Sequence, residues 1–418
     1  MMDVTPQQMM QQTLIALTEQ YQALPALNID LTRGKPCSEQ LALSNSLDSM
    51  IAGNYSSQDG VDTRNYGGID GLPEAKALGQ WLLDAPIDNI LVGGNSSLTL
   101  MSQAMLIAYQ FGLGGEPWQN AKFICPAPGY DRHFALCELF GIKMIPVAMN
   151  DDGPDMDAVE ALIGEDRSIK GIWCVPKYSN PTGAVYSDEV VERIAKLGQK
   201  AGAEFKVFWD NAYSVHDLAE PAALSSLWQQ AEAHGTLDNI VMFASTSKIT
   251  HAGSGLAFLA TSERNLADIK RFLGFITIGP DKVNQIRHSR LLNSPEALTR
   301  HMQAHADILR PKFEKVVEVL DRMLSGKGVA KWSNANGGYF ISVDTAPGLA
   351  SRTVALAGQA GVKFTPAGAT FPYGKDPQDS NIRIAPSMAS VDDVEQAMSV
   401  FCLCLKMAAL EQGLAKFN

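Results

Sequence analysis

The sequence predicts an α/β protein. A large domain is built on a mainly parallel seven-stranded sheet with helices on both faces, and a smaller α+β domain accompanies it. Three observations carry this prediction. From about residue 90 to 260, short β-rich runs alternate with segments of helical spacing, as parallel strands with crossover helices require. After about residue 300 the alternation gives way to long helical stripes and a few separate strands. The chain has 418 residues, 46% hydrophobic and 19% charged, enough for two or three domains with sizeable cores and unlike a disordered chain.

The seven runs are 90–92, 123–125, 143–147, 171–175, 207–209, 240–243 and 256–260. Between them, Val190, Ile194, Leu197 and Ala201 form one apolar stripe, with Ser187 as helix cap and Asp188 and Glu189 in the first turn. In the last third the pattern predicts a helix over 299–324, strands at 338–343, 362–365 and 381–385, and a helix over 391–410. The expected division is a large domain over 50–300 and a small domain made of 1–49 and 301–418.

Charge and composition narrow the function. Lys plus Arg is 34 and Asp plus Glu is 45, a net charge of -11. An acidic chain is poorly suited to nucleic acid or to an anionic membrane surface. No stretch approaches the roughly 18 apolar residues of a membrane span, and the longest uncharged segment, 89–115, is broken by polar residues and Gly. The Gln-rich start does not resemble a secretory signal. The six cysteines form no Cys-x-x-Cys pair, so buried free thiols in a cytoplasmic protein are expected.

Ligands of doubly wound sheets bind beyond the carboxyl ends of the strands. Polar clusters follow the runs at 94–97, 126–130, 176–183, 210–213 and 245–248, so one sheet edge gathers them. Lys248 follows an apolar strand among small hydroxyls. Lysines are mostly solvated, but a buried one has a lowered pKa and can join to an aldehyde. Asp210 ends the run 206–210, where it is either a turn aspartate or a buried carboxylate awaiting a cation. Tyr213 shares its loop and, if buried, needs a polar partner. Asn180 lies in an Asn-Pro-Thr-Gly turn at another strand end. Asn95, Ser96 and Ser97 precede an apolar helix, as an ordinary cap or as an anion site. Arg383 alternates within a strand, facing either solvent or a carboxylate in the cleft.

Each of these motifs is modest alone, and the set is far more specific. In chain order it runs phosphate cradle, Tyr130, Asn180, Asp210 with Tyr213, Lys248 and Arg383. It resembles the fold type I pyridoxal-phosphate aminotransferases of classes I and II. The resemblance runs from Leu31-Thr-Arg-Gly-Lys-Pro36 through Tyr66-Gly-Gly-Ile-Asp-Gly-Leu-Pro-Glu-Ala75 to Asn381-Ile-Arg-Ile-Ala-Pro386. Pro128-Gly-Tyr-Asp-Arg-His133, Trp209-Asp-Asn-Ala-Tyr213 and Thr277-Ile-Gly-Pro-Asp-Lys282 look closest to a bacterial branch of aspartate aminotransferases.

The resemblance implies pyridoxal 5'-phosphate as cofactor, with Lys248 holding it covalently and moving the substrate α-proton. Asp210 would pair with the pyridine nitrogen, Asn180 and Tyr213 would meet the ring oxygen, and Tyr130 would stack on the ring. Asn95, Ser96, Ser97, Ser245 and Ser247 would hold the phosphate, joined by Tyr66 from the neighbouring subunit of a homodimer with shared sites. Arg383, with the Gly34 backbone nearby, would grip the substrate α-carboxylate. The family's phosphate arginine, about eight residues after the lysine, is missing from 249–256. A dicarboxylic substrate needs a second cation, for which Arg132 is expected ahead of Arg290, with Arg287 and Arg33 as further candidates. The implied reaction passes an amino group between an L-amino acid, aspartate or glutamate first, and a 2-oxo acid. Aromatic, alanine or kynurenine transamination, or a β-lyase on the same fold, are the alternatives. A cofactor-binding transcription regulator is disfavoured, because its basic winged-helix segment has no counterpart in residues 1–30, which contain no Lys or Arg.

Overall fold

The computed structural model describes residues 5–334 and 336–416. Strand β1 (Ile29–Asp30) belongs to the small domain. The main sheet is formed by β2 (Ile90–Val92), β3 (Lys122–Ala127), β4 (Lys143–Asn150), β5 (Gly153–Pro154), β6 (Ile169–Cys174), β7 (Lys206–Asp210), β8 (Ile240–Ser245) and β9 (Ala257–Thr261), in the order β2-β9-β8-β7-β6-β3-β4-β5. All seven expected runs are strands. The eighth, β5, folds back on β4 and is too short to show any periodicity in sequence. Strands β4, β3, β6, β7 and β8 run parallel. Because β9 is antiparallel to both β8 and β2, β2 points the same way as those five. Their carboxyl ends therefore share one edge.

Successive strand residues feed opposite faces, as the pleat dictates. In β7, Val207 and Trp209 join the core under helices Pro73–Leu83 and Asp188–Ala201, while Phe208 joins the core under helices Ser97–Gln110 and Asp131–Leu139. Helix Asp188–Ala201 starts as its sequence indicates. The Ser187 side chain accepts from the Val190 amide, and Val190, Ile194, Leu197 and Ala201 are buried.

The small domain adds β10 (Ala330–Trp332), β11 (Ile341–Thr345), β12 (Val362–Lys363) and β13 (Asn381–Ile384). Strands β10, β11 and β13 form an antiparallel sheet, and β1 pairs with β12. The expected strand at 338–343 begins later, because Gly338 sits at φ +77 with the Tyr178 side chain packed against it. Helix Pro6–Gln22 lays Leu14, Leu17 and Tyr21 on this core. Helix Pro295–Leu324 begins four residues before its apolar stripe, at a Ser294 cap followed by Pro295. Its Leu298 and Met302 enter the large core, and its Ala306, Leu309 and Phe313 enter the small one.

One expectation needs correction. Helix Val391–Ala415 is long enough to cross a membrane and contains an 18-residue stretch apolar enough to do so, with a mean hydropathy of 1.4. It is apolar nearly all round because Val394, Met398, Phe401, Cys402 and Leu405 lie inside the small-domain core. All six cysteines are free and buried.

The sheet contains one tight steric lock. Phe123 in β3 is in register with Gly171 in β6, and a Cβ on Gly171 would lie 2.2 Å from the Phe123 ring. That ring also meets Trp118, Trp173 and Phe208, so it has nowhere to move. Gly171→Ala is expected to destabilise the protein by roughly 1–3 kcal/mol through overpacking, read from urea denaturation midpoints. Phe123→Leu in the same chain should recover part of the loss.

Candidate active site

Five loops leaving the common edge of the main sheet meet the small domain and enclose two joined spaces. The inner one, of about 170 Å³, is lined by Ser96, Ser97, Asp210, Ser245 and Ser247 among others. The outer one, of about 430 Å³, is lined by Gly34, Arg132, Phe340 and Arg383 among others. Tyr130, Asn180, Tyr213 and Lys248 border both. A group seated in the inner space is therefore flanked by the same four side chains that meet a molecule in the outer space.

Asp210 terminates β7 and is 4% exposed. Its Oδ2 accepts from His133 Nε2 at 3.0 Å. Its Oδ1 is buried without a partner. An unpaired buried carboxylate oxygen is costly, so this atom calls for a cationic or N–H donor from the inner space. The protonated pyridine nitrogen of pyridoxal phosphate fits that need. His133 is held in turn by stacking on Trp173, with ring centres 4.1 Å apart and planes 8° from parallel. Sequence reasoning passed over His133. The spacing Tyr130-Asp-Arg-His133 puts it one turn beyond Tyr130, but nothing in the sequence says which strand end that turn faces.

Lys248 follows β8. Its Nζ lies 5.2 Å from the centre of the Tyr213 ring and 5.7 Å from that of Tyr339. Burial lowers its pKa, with Asp210 pulling the other way. Burial thus makes the amine easier to deprotonate, the direction that attack on an aldehyde and acceptance of a proton need. Burial also pushes the Tyr213 hydroxyl well above its ordinary range and the Tyr130 hydroxyl up to about 12.

An anion cradle stands at the start of helix Ser97–Gln110. No side chain caps that helix, so its first amides remain free for a ligand. Ser245 Oγ donates to Ser247 Oγ at 3.2 Å, and Ser247 Oγ donates to the Asn95 carbonyl at 3.3 Å. Asn95 turns its amide to the Gly253 carbonyl, so it borders the cradle with its backbone. Lys248 is the one cationic side chain lining the inner space among the described residues. No second cation of this chain stands in for the missing phosphate arginine among the described residues lining that space, and its hydroxyls at the helix start are those of Ser96, Ser97, Ser245 and Ser247.

In the outer space, Arg383 is 7% exposed. Its Nη1 donates to Asp131 Oδ1 at 2.8 Å and to Asn180 Oδ1 at 3.2 Å, its Nε reaches Thr365 Oγ1 at 3.4 Å, and its guanidinium lies 4.8 Å from the Phe340 ring centre. Gly34 passes so close to Phe340 that a Cβ would meet its ring at 2.7 Å. Arg33, Lys35 and Arg132 are exposed at the mouth, and none makes an ion pair among the described residues.

Two of the expected arginines lie elsewhere. The structure does not bring Arg290 to this cleft. Its guanidinium donates to the carbonyls of Met50, Ile51, Asn54 and Ser56 and so clamps that loop. Arg287 does not line the cleft either, and its Nε is buried without a partner. Tyr66 stands outside its own chain's cleft and is 81% exposed.

Comparison with known proteins agrees with this geometry. The family model described as aspartate amino-transferase matches residues 5–416. A Mycolicibacterium smegmatis protein is 47% identical over 92% of both chains. An aspartate aminotransferase of Corynebacterium glutamicum is 43% identical over 92% of this chain and 90% of its own. The crystal structure of an aspartate transaminase from the same organism superposes with a TM-score of 0.91 at 42% identity, covering 97% of this chain and 96% of that one. The chain belongs to the aspartate amino-transferase family and is a pyridoxal 5'-phosphate-dependent transaminase of fold type I.

Proposed function

We propose that this transaminase moves the amino group between L-aspartate or L-glutamate and 2-oxoglutarate or oxaloacetate. One observation carries the reading. Besides Lys248, the outer space is lined by Arg33, Lys35, Arg132 and Arg383 against a single carboxylate, Asp131. A second carboxylate on the substrate finds a cation at such a mouth, whereas an aromatic or alanine side chain gains nothing from these exposed charges. The 43% identical relative named aspartate aminotransferase supports the same choice.

When bound, pyridoxal 5'-phosphate supplies an aldehyde that an amine can hold and a pyridine ring that stores the electron pair left by a departing α-proton. The protein's residues set the rest. Lys248 Nζ, whose pKa burial lowers, would hold the aldehyde and later carry the α-proton. Asp210 Oδ1 would retain the proton on the ring nitrogen. His133 keeps Asp210 aimed by occupying its other oxygen. Tyr213 and Asn180 would hold the ring oxygen, Tyr130 would cover the ring, and Ser96, Ser97, Ser245 and Ser247 would take the phosphate at the helix start. Arg383 grips the α-carboxylate, and Arg132 is the partner we assign to the distal one. A cytoplasmic homodimer completes the reading: exposed Tyr66, Phe275, Ile276 and Ile278 offer a second copy an apolar surface.

Mixing the purified holoenzyme with single amino acids tests the proposal. Aspartate and glutamate should discharge the absorbance of the bound aldehyde much faster than alanine or phenylalanine, and equal rates would refute dicarboxylate preference. Asp210→Ala should lower turnover by about a thousandfold, roughly 4 kcal/mol of barrier. His133→Ala, which removes one hydrogen bond to a charged group, should cost about ten- to a hundredfold. Arg132→Ala should lower kcat/KM for aspartate by roughly tenfold or more and spare alanine. Equal losses on both substrates would move the distal site to Arg33 or Lys35.

A further inference from the structure

Asp131 has no part in the chemistry derived above, yet it makes the shortest contact of Arg383. We propose that Asp131 is a positioning residue that holds Arg383 as an internal stand-in for a substrate carboxylate and releases it when substrate enters, so that it sets how tightly carboxylates bind. This rests on Arg383 as the α-carboxylate partner.

The geometry supports an exchange. Asp131 Oδ1 takes only Nη1 of Arg383, at 2.8 Å, and shares it with Asn180 Oδ1 at 3.2 Å. Thr365 takes Nε weakly, and Nη2 has no hydrogen-bond partner among the described residues. A carboxylate that makes two parallel bonds to the guanidinium needs Nη2 and one neighbour. If that neighbour is Nη1, substrate and Asp131 compete for one nitrogen; if it is Nε, held only by Thr365 at 3.4 Å, the two carboxylates share one guanidinium. In either case two negative charges a few ångströms apart on one guanidinium repel each other, in a cleft where Arg383 itself is 7% exposed, so Asp131 opposes the substrate carboxylate.

Asp131 also has somewhere to go. It is the first residue of helix Asp131–Leu139, whose preceding residue, Tyr130, provides no side-chain cap. The His133 amide already bonds the Tyr130 carbonyl, and a carboxylate released from Arg383 can turn to the positive end of the helix and to solvent. The side chain of Asp131 is 35% exposed, so it can move without repacking a core. Without a stand-in, a desolvated arginine in a cleft lined by four further cationic side chains, Arg33, Lys35, Arg132 and Lys248, would bind any small anion. With it, Arg383 stays oriented between Asn180, Thr365 and the Phe340 face, and a weak or single carboxylate competes poorly.

Succinate binding to the holoenzyme, followed by calorimetry, tests this in four chains: wild type, Asp131→Asn, Arg383→Ala and the double variant. Asn keeps the shape and the helix start and removes the charge. Asp131→Asn should bind succinate roughly three- to tenfold more tightly, with the same direction for propionate, which has one carboxylate. KM for aspartate should fall, so that the gain in kcat/KM is carried by KM. In the Arg383→Ala background the Asp131→Asn change should have no effect, since the contact it relieves is gone. Unchanged or weaker succinate binding in Asp131→Asn, with Arg383→Ala still strongly impaired and both variants melting like wild type, would overturn the proposal and leave the α-carboxylate role of Arg383 standing. Undiminished binding in Arg383→Ala would instead remove that role and this proposal with it. Because propionate engages no distal cation, its response is independent of whether the substrate is a dicarboxylate.

Discussion

The site is organised around one buried carboxylate that is only half satisfied. Asp210 is held at the end of a central strand, with one oxygen bonded to His133 and the other bare. Burying a charge in this way is unfavourable unless a cation meets it. The fold accepts that cost at the point where the inner space opens. His133 is fixed by Trp173 from the adjacent strand, so the direction of the free oxygen is set by packed aromatic rings. Lys248 and Tyr213 are likewise placed by strand ends, which hold position better than loop tips do. A ring that satisfies Asp210 must lie where these groups also reach it.

The second constraint is the seam between the two cores. Helix Pro295–Leu324 packs into both, and the outer space lies along the junction. A polar chain crosses near it. Gln40 donates to Tyr339 at 2.8 Å and lies 3.0 Å from His305, which neighbours His301; His301 in turn meets the Ile249 carbonyl at 2.7 Å, one residue from Lys248. Tyr339 also reaches the Lys248 carbonyl at 3.4 Å. The small domain therefore bears on the backbone of the lysine itself. Burial holds His305 near pKa 4, which keeps the chain neutral beside a group whose own pKa matters.

Charge is distributed unevenly on purpose-built ground. The chain as a whole is acidic, at -11, while the mouth of the cleft is cationic. Local field, not net charge, governs what enters. The inner space is the reverse case: Lys248 is its one cationic lining side chain among the described residues, beside the hydroxyls of Ser96, Ser97, Ser245 and Ser247.

Much of this was legible in the sequence. Short β-rich runs bounded by turn residues marked the strands, because a mainly parallel sheet covered on both sides buries successive side chains on either face. The polar clusters after those runs marked the ligand edge, because parallel strands bring their ends together. Lys248, Asp210, Tyr213, Asn180 and Arg383 were reachable by that logic joined to a family resemblance. What a residue touches across the fold was not. His133 and Asp131 lie in the same short turn as Tyr130, and no spacing tells that one faces Asp210 and the other Arg383, 77 and 252 positions away. Arg290 stood second to Arg132 as a candidate, and only the fold shows its guanidinium on the carbonyls of Met50, Ile51, Asn54 and Ser56. Local sequence determines which conformation a segment prefers and which face it buries. Partners distant in the chain are chosen only when packing brings two such faces together, and here the tertiary structure alone made that choice.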